Sequence, residues 1–484
     1  MDDLTSRPDH PLRPGPWALR PATAAWIYGG VVTAVLAYFV LGLVVQVSDS
    51  FGNLLAVQTP TLGQLVSDQF TARAYLRPLL WAQMKIVYEL SGGAYYAWFR
   101  GVHVVQVAML IALCLLVMKP RTWLDAALVP LALAVLIGSH TFAPLVREAF
   151  PINSFLTIAT ACVGALWLAA RDQPRWYTDL LIVAIFAGCV LTVESGILVW
   201  VVCVTAAVLG RRGVSRPALA AMTAALIGYV ALRMFVLEVG TPSLVERASG
   251  FGFQRLEPSE LIARFEGRAW PFYVYNVVSS ISTVLFSEPK GGVWRFVYEL
   301  TLHDVHPWTA VSVASSAAAT LLIGWFLWTR RAHIRARTLD RDDAIVVLFV
   351  VVLVVNAVIS YPYTKNVIMS PAGALLALAV YSAARAWLHS VSTPRMAAAI
   401  ALLAVLSCGW AFRMAGNHYN LRRTAAEQRA EWVSVDSWLE RQRISLDDPE
   451  ARALRDTLRR DAVWTHPTPF QPSVRWAQWF DIDW

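Results

Sequence analysis

Charge is scarce in this chain. Of 484 residues only 15% are charged, 57% are hydrophobic, and the mean hydropathy is +0.50. Soluble domains carry about 25% charged residues, so the composition argues against an ordinary soluble domain and predicts a polytopic membrane protein. Cysteine is scarce too. Cys114, Cys162, Cys189, Cys203 and Cys408 each sit inside an apolar run, so neither a disulfide framework nor a metal knuckle is suggested, and they read as small packing residues. Several catalytic signatures are missing: a Walker A glycine loop, a Gly-x-Ser-x-Gly elbow, His-Glu-x-x-His and Cys-x-x-Cys. Their absence disfavours ATP-driven transport, serine hydrolysis and zinc proteolysis. His303-Asp304-Val305-His306 resembles a metal pair in composition, but no third ligand stands nearby. No fixed-period repeat or low-complexity segment occurs beyond the apolar runs.

What is present is a series of long apolar runs. Hydrocarbon offers backbone groups no partners, so these spans should be helices, and they are too continuous for a barrel. Arg7, Arg13 and Arg20 precede the run Trp26 to Gln46, which exceeds the roughly 7–15 residues of a cleavable signal core. It reads as an uncleaved first span, with residues 1–25 cytoplasmic. Much of the +8 net charge falls in short loops between runs, as the positive-inside bias predicts, so it does not imply nucleic acid. Lys119-Pro120-Arg121, Arg171 with Arg175, Arg211 with Arg212, and the cluster from Arg330 to Arg341 mark the cytoplasmic side. Length and charge together predict about eleven spans. The membrane domain covers 26–412, with large outer loops at 48–99 and 240–307, and 413–484 forms a small Trp-rich region outside. Phe272 to Phe286 lies in the second loop and is too rich in Ser, Asn and Tyr for the span count.

The first outer loop is the most informative stretch. Thr61 to Phe70 and Leu79 to Leu90 carry apolar residues at helical spacing and predict interfacial amphipathic helices, separated by the break at Arg77-Pro78. Asp179 to Leu209 reads as a hairpin of two short spans turning at Glu194-Ser195-Gly196. Carboxylates then gather at the outer ends of spans: Asp49, Glu148 beside Arg147, and Glu194. Tyr361, Tyr363 and Lys365 share that face. Ionisable groups at membrane depth are costly and usually functional. A carboxylate there can serve as general base, and Arg or Lys beside it can bind a phosphate. The plainer roles are a helix cap for Asp49, a local pair for Glu148, a loop charge for Glu194, and interface anchors for Arg77, Arg100 and Lys365. The tryptophans Trp432, Trp438, Trp464, Trp476, Trp479 and Trp484 suit a membrane interface or a sugar-stacking surface.

An acidic residue just past the first span, a large first outer loop, and Arg77-Pro78-Leu79 leading to Phe99-Arg100-Gly101-Val102-His103 resemble the GT-C superfamily of integral-membrane glycosyltransferases. Thr192-Val193-Glu194-Ser195-Gly196-Ile197 is similar to the Lys-Glu-x-Gly element of many relatives, with Val193 where a basic residue is common. The resemblance covers roughly residues 26–197. It implies a GT-C-like helical bundle and an inverting transfer from a polyprenyl-phosphate-linked sugar on the periplasmic face of a bacterial inner membrane. It makes Asp49 the catalytic carboxylate and Glu148 the second acid. Arg77, Arg100 and Lys365 become candidates for the lipid phosphate, and His103, Arg147, Glu194 and Tyr363 candidates for substrate contact. The acceptor would be a hydroxyl on a glycan, lipid or protein. Some relatives use a divalent metal and others do not. Two rival readings remain: a transporter or flippase of a lipid-linked saccharide, which predicts a polar path across the membrane, and a non-catalytic assembly protein.

Overall fold

The first span stops where its sequence changes character. Helix α1 (Pro21–Leu41) ends at Gly42, and Val44, Val45 and Val47 follow. β-branched residues lose rotamer freedom in a helix, so the chain runs irregularly there until the next helix opens after Ser48. This computed structural model describes residues 19–71, 76–147, 154–238, 249–287, 291–364, 366–465 and 474–480. The first loop holds α2 (Asp49–Gln58), α3 (Leu62–Thr71) and α4 (Pro78–Ser91). Then come α5 (Tyr95–Met118), α6 (Trp123–Ala127), α7 (Val129–Gly138), α8 (Phe142–Arg147) and α9 (Ser154–Ala169). The hairpin is α10 (Trp176–Val190) and α11 (Ile197–Val208), joined through a 3-10 turn at Glu194–Gly196, and α12 (Arg216–Ala231) follows. The second loop contains the antiparallel pair β1 (Ser249–Phe251) and β2 (Gln254–Leu256), then α13 (Pro258–Phe265), α14 (Trp270–Phe286) and α15 (Arg295–Thr301). The last group is α16 (Pro307–Ala336), α17 (Arg341–Ile359), α18 (Ser370–Ser390), α19 (Thr393–Glu431), α20 (Val435–Arg441), α21 (Pro449–Arg460) and α22 (Val474–Phe480).

Among the described residues seven helices are long and apolar enough to cross a membrane, and four shorter apolar ones lie at Trp123–Gly138, Ser154–Ala169, Trp176–Val190 and Glu194–Val208. The chain is thus an almost wholly α-helical protein of membrane-spanning type. Its centre is α18, in which every residue from Ser370 to Ala384 is buried. Helix α19 packs closely on α7 because Gly138 has no side chain: a Cβ there would meet Trp410 O at 2.9 Å. One buried cation ties this core together. Arg413 of α19 donates to Ser312 O at 3.1 Å and to the hydroxyls of Ser315 and Ser316 at 3.2 and 2.6 Å, with its guanidinium over the Trp410 ring.

Helix α5 rises about 1.5 Å per residue over 24 residues and so separates two faces by about 36 Å. Its start meets the end of α1 and the loop of Asp49. Its end meets Lys119 and then Arg121, which shares a cavity with the far ends of α16 and α18.

Three elements differ from the sequence expectations. Helix α2 is an additional interfacial helix. The β1–β2 hairpin adds a short sheet, turning through Gly252 at φ 66°. Helix α19 was expected to end near Phe412 and instead continues unbroken through the proposed boundary at 413 to Glu431. Its polar half has no proline and is mostly Ala, Arg, Glu and Gln beyond Asn420, strong helix formers, and polarity alone does not stop a helix.

Candidate functional site

The segment that delivers Asp49 is irregular backbone at the end of a span, where unpaired carbonyls are expensive. Each carbonyl from Gly42 to Gln46 has a donor. Arg429 Nη2 donates to Gly42 O at 3.0 Å, Arg100 Nε to Leu43 O at 2.8 Å, and Arg100 Nη2 to Val44 O at 2.8 Å. Trp432 Nε1 donates to Val45 O at 2.6 Å, and the Phe51 N–H to Gln46 O at 3.2 Å. The Val47 N–H is bonded by the Glu431 carboxylate. Phe51 sits edge-on to Trp432, ring centroids 5.1 Å apart. Asp49 opens α2 as its first helical residue, where a negative side chain suits the helix dipole, and it is exposed.

Arg100 does a second thing. Its Nη1 donates to Val146 O at 3.3 Å and meets His103 Nδ1 at 3.1 Å. Because a guanidinium has no lone pair to offer, Nδ1 is the acceptor and His103 is neutral there. One buried side chain therefore holds both the lead-in to Asp49 and the end of α8, one residue before Arg147 and two before Glu148. Glu148 itself, like Lys365, lies outside the described residues.

Beside that junction is a cavity of about 170 Å³ between α8, the turn before α18 and α19. Arg147, His140, Asn366, Asn417, Asn420 and Arg423 contribute its polar lining. Asn417 is fixed by donating to Ile137 O at 2.6 Å, and Arg423 pairs with Glu427 at 2.7 Å. Arg147 is exposed into this space. Asp49, Arg77 and Glu194 do not line it.

Arg77 and Glu194 meet each other instead. Arg77 Nη2 lies 2.7 Å from Glu194 Oε2, and Arg233 Nη1 lies 3.3 Å from Glu194 Oε1. The Leu79 N–H donates to Leu191 O at 3.1 Å, and Gln83 Nε2 to Thr192 Oγ1 at 3.0 Å. The motif at 192–197 and the break at Arg77-Pro78 are thus two sides of one clamp between the first loop and the α10–α11 hairpin. Helix α4 in turn secures α2, since Lys85 Nζ donates to Val57 O at 2.9 Å and Gln58 O at 3.1 Å. Burial, followed by the Tyr95 hydroxyl and Glu450, pushes the Tyr88 phenol above its ordinary range where α4 meets α5 and α21.

These positions revise several sequence assignments. Arg100 and His103 are each 1% exposed, with the arginine bonded to three carbonyls and to the histidine, so Arg100 positions backbone and His103 lies buried against it. Arg77 and Arg233 share the Glu194 carboxylate and form a clamp. Tyr363 sits in the loop before α18, its N–H donating to Ser360 O, next to Tyr361, which packs edge-on to Tyr273 of α14. Trp432 is fully buried and serves as a hydrogen-bond donor, not as an interface or stacking residue. His306 Nδ1 accepts from the Trp308 N–H at 3.2 Å while Nε2 meets Gln478 O at 3.1 Å, which uses both ring nitrogens. Sequence reasoning missed Arg429 and Glu431 around the Asp49 segment and the donor role of Trp432 there, and it missed Asn417 and Asn420 in the cavity. A signal existed for the last two: with Leu421 and Thr424 they recur at helical spacing on one face. Comparisons with protein-family models, curated proteins and solved structures find no match.

Proposed function

We propose that this protein is a membrane glycosyltransferase that moves a sugar from a polyprenyl-phosphate carrier to an acceptor hydroxyl on the periplasmic side of a bacterial inner membrane. The observation that carries the reading is the Arg100 junction, which draws the segments leading to Asp49 and to Arg147-Glu148 onto one guanidinium. The cavity at the end of α8 supplies an arginine and asparagines suited to a phosphate and sugar hydroxyls, and Asp49 stands outside that lining, on the other segment tied to Arg100.

In this mechanism Asp49 takes the proton of the acceptor hydroxyl as that oxygen bonds to the anomeric carbon. The bond from that carbon to the phosphate oxygen breaks, and its electron pair leaves with the lipid phosphate. Arg147 meets the growing charge there, with Lys365 and Tyr363 as further candidates in the same loop region. Asn420, and Asn417 through its amide oxygen, are the candidates for bonding sugar hydroxyls. Glu148 remains the candidate second acid. Attack opposite to departure inverts the anomeric centre.

The transporter alternative requires a polar path between the faces. Helix α18 runs from the cavity at Asn366 to the opposite cavity at Arg385, and its residues 370–384 are all buried and mostly apolar. This favours transfer over transport.

The test is Asp49→Asn in membranes supplied with a matched polyprenyl-phosphate sugar. Loss of the general base should reduce transfer about 10²–10⁴-fold. Full activity of D49N, or no transfer by the wild type from any polyprenyl-phosphate sugar in a panel, overturns the reading.

A further inference from the structure

A second cavity lies at the opposite face, and the transfer chemistry makes no use of it. It encloses about 420 Å³, within the range of roughly 300–1,000 Å³ typical of small-molecule sites. Its wall comes from four helices distant in sequence: Arg121, Thr122 and Asp125 at the start of α6, Arg330 from α16, Asp342 from α17, and Arg385, His389 and Ser390 from α18. Three arginines therefore face two aspartates.

The two carboxylates are already engaged. Asp342 Oδ2 accepts from Arg385 Nε at 3.0 Å and also from its Nη2. Asp125 Oδ2 accepts the N–H groups of Arg121 and Thr122, both at 3.0 Å, and its Oδ1 is 3.6 Å from His389 Nε2. Two cations are less committed. Arg330 stands 3.7 Å from Asp340 and 3.8 Å from Asp343, beyond hydrogen-bond reach. The Arg121 side chain is exposed at the cavity. A guanidinium fork matches a phosphate geometrically, and a bound phosphate would compete only with these long ion pairs of Arg330. Around it stand groups suited to hydroxyls: the second oxygen of Asp342, the Thr122 hydroxyl, which accepts from the Asp125 N–H and keeps its proton to donate, and the Ser390 oxygen, whose proton goes to Trp387 O.

We propose that this cavity binds a phosphate-bearing polyol, with the phosphate on Arg121 and Arg330 and the hydroxyls on Asp342, Thr122 and Ser390. The proposal does not depend on the glycosyltransferase reading. The same chemistry is presented by an anionic lipid headgroup from the adjoining leaflet and by a soluble sugar or glycerol phosphate.

The experiment uses the full chain in nanodiscs. One arm titrates glycerol 1-phosphate by calorimetry in phosphatidylcholine discs. The other measures retention of phosphatidylglycerol over phosphatidylcholine by native mass spectrometry. Both arms compare the wild type with the double variant Arg121→Ala/Arg330→Ala and with Arg212→Ala, an exposed arginine of the same face outside the cavity. Saturable binding of either probe, weakened about tenfold or more in the double variant and unchanged in R212A, supports the site. Binding in the first arm identifies a soluble ligand and retention in the second a lipid. If the double variant is not monodisperse, Arg121→Lys/Arg330→Lys replaces it, with a smaller loss expected because lysine lacks the fork. No saturable binding of either probe by the wild type, or equal binding by wild type and arginine-depleted variants, overturns the proposal.

Discussion

Replacing Arg100 by methionine removes the charge and keeps an unbranched side chain of comparable length. Three buried carbonyls, those of Leu43, Val44 and Val146, then lose their donors, and His103 Nδ1 loses its neighbour. An unpartnered buried polar group costs about 1–3 kcal/mol, so the three together cost about 3–6 kcal/mol after some relaxation. That cost falls on the lead-in to Asp49 first, because the segment has no helical hydrogen bonds to fall back on. Its local opening free energy should drop by the same amount. The readout is hydrogen exchange, followed by mass spectrometry, at Leu43, Phe51 and Gly52, whose N–H groups bond to Val40, Gln46 and Ser48. Exchange there should accelerate about 100-fold or more, while peptides in α18 stay protected. Arg100→Lys should fall between, since an ammonium is a point charge that cannot span three carbonyls at once. Unchanged protection of these amides in R100M would refute the argument that Arg100 holds the site's backbone.

The other expectations follow the same logic. Trp432→Phe removes the donor to Val45 O and should lower stability by about 1–2 kcal/mol, read as a lower melting temperature in detergent. Glu194→Gln weakens both ion pairs of the clamp; at partial exposure the cost should be about 2 kcal/mol, seen as faster limited proteolysis between Thr59 and Arg77 with the span helices intact. Gly196→Ala places a methyl group into the backbone of Cys189 and Val190 and should cost about 1–3 kcal/mol or more, whereas Gly228→Ala, with open space around it, should be silent. Size-exclusion profiles of the two variants test this.

Much of the frame was legible from periodicity and charge. Helices α3 and α4, the proline break between them and the hairpin turning at Glu194 stand where apolar spacing placed them. Helix α2 was less visible. Its apolar face is only Phe51, Leu54 and Val57, set among Ser, Gly and Asn, which are poor helix formers. The roles of Arg100 and Trp432 were not legible, because a cation or an indole near a membrane surface looks the same whether it anchors lipid or satisfies backbone. The bonds from Arg429 and Trp432 to the segment after α1 each cross 387 residues of sequence. Local pattern carries no trace of such a partner. Arg77 and Glu194 were each recognised singly, but only the docking of the first loop on the hairpin makes them one unit.

The uninterrupted course of α19 has a mechanical corollary. At about 58 Å it is one shaft, planted in the bundle by Arg413, lining the cavity through Asn417 and Asn420, and gripping the Asp49 segment through Arg429 and Trp432. Its angular phase is therefore shared. A single residue inserted between Arg413 and Asn417 would rotate everything beyond by about 100°, turning the asparagines out of the cavity and the grip off the Asp49 segment in the same stroke. Length along this shaft is consequently far less negotiable than residue identity on its outward side.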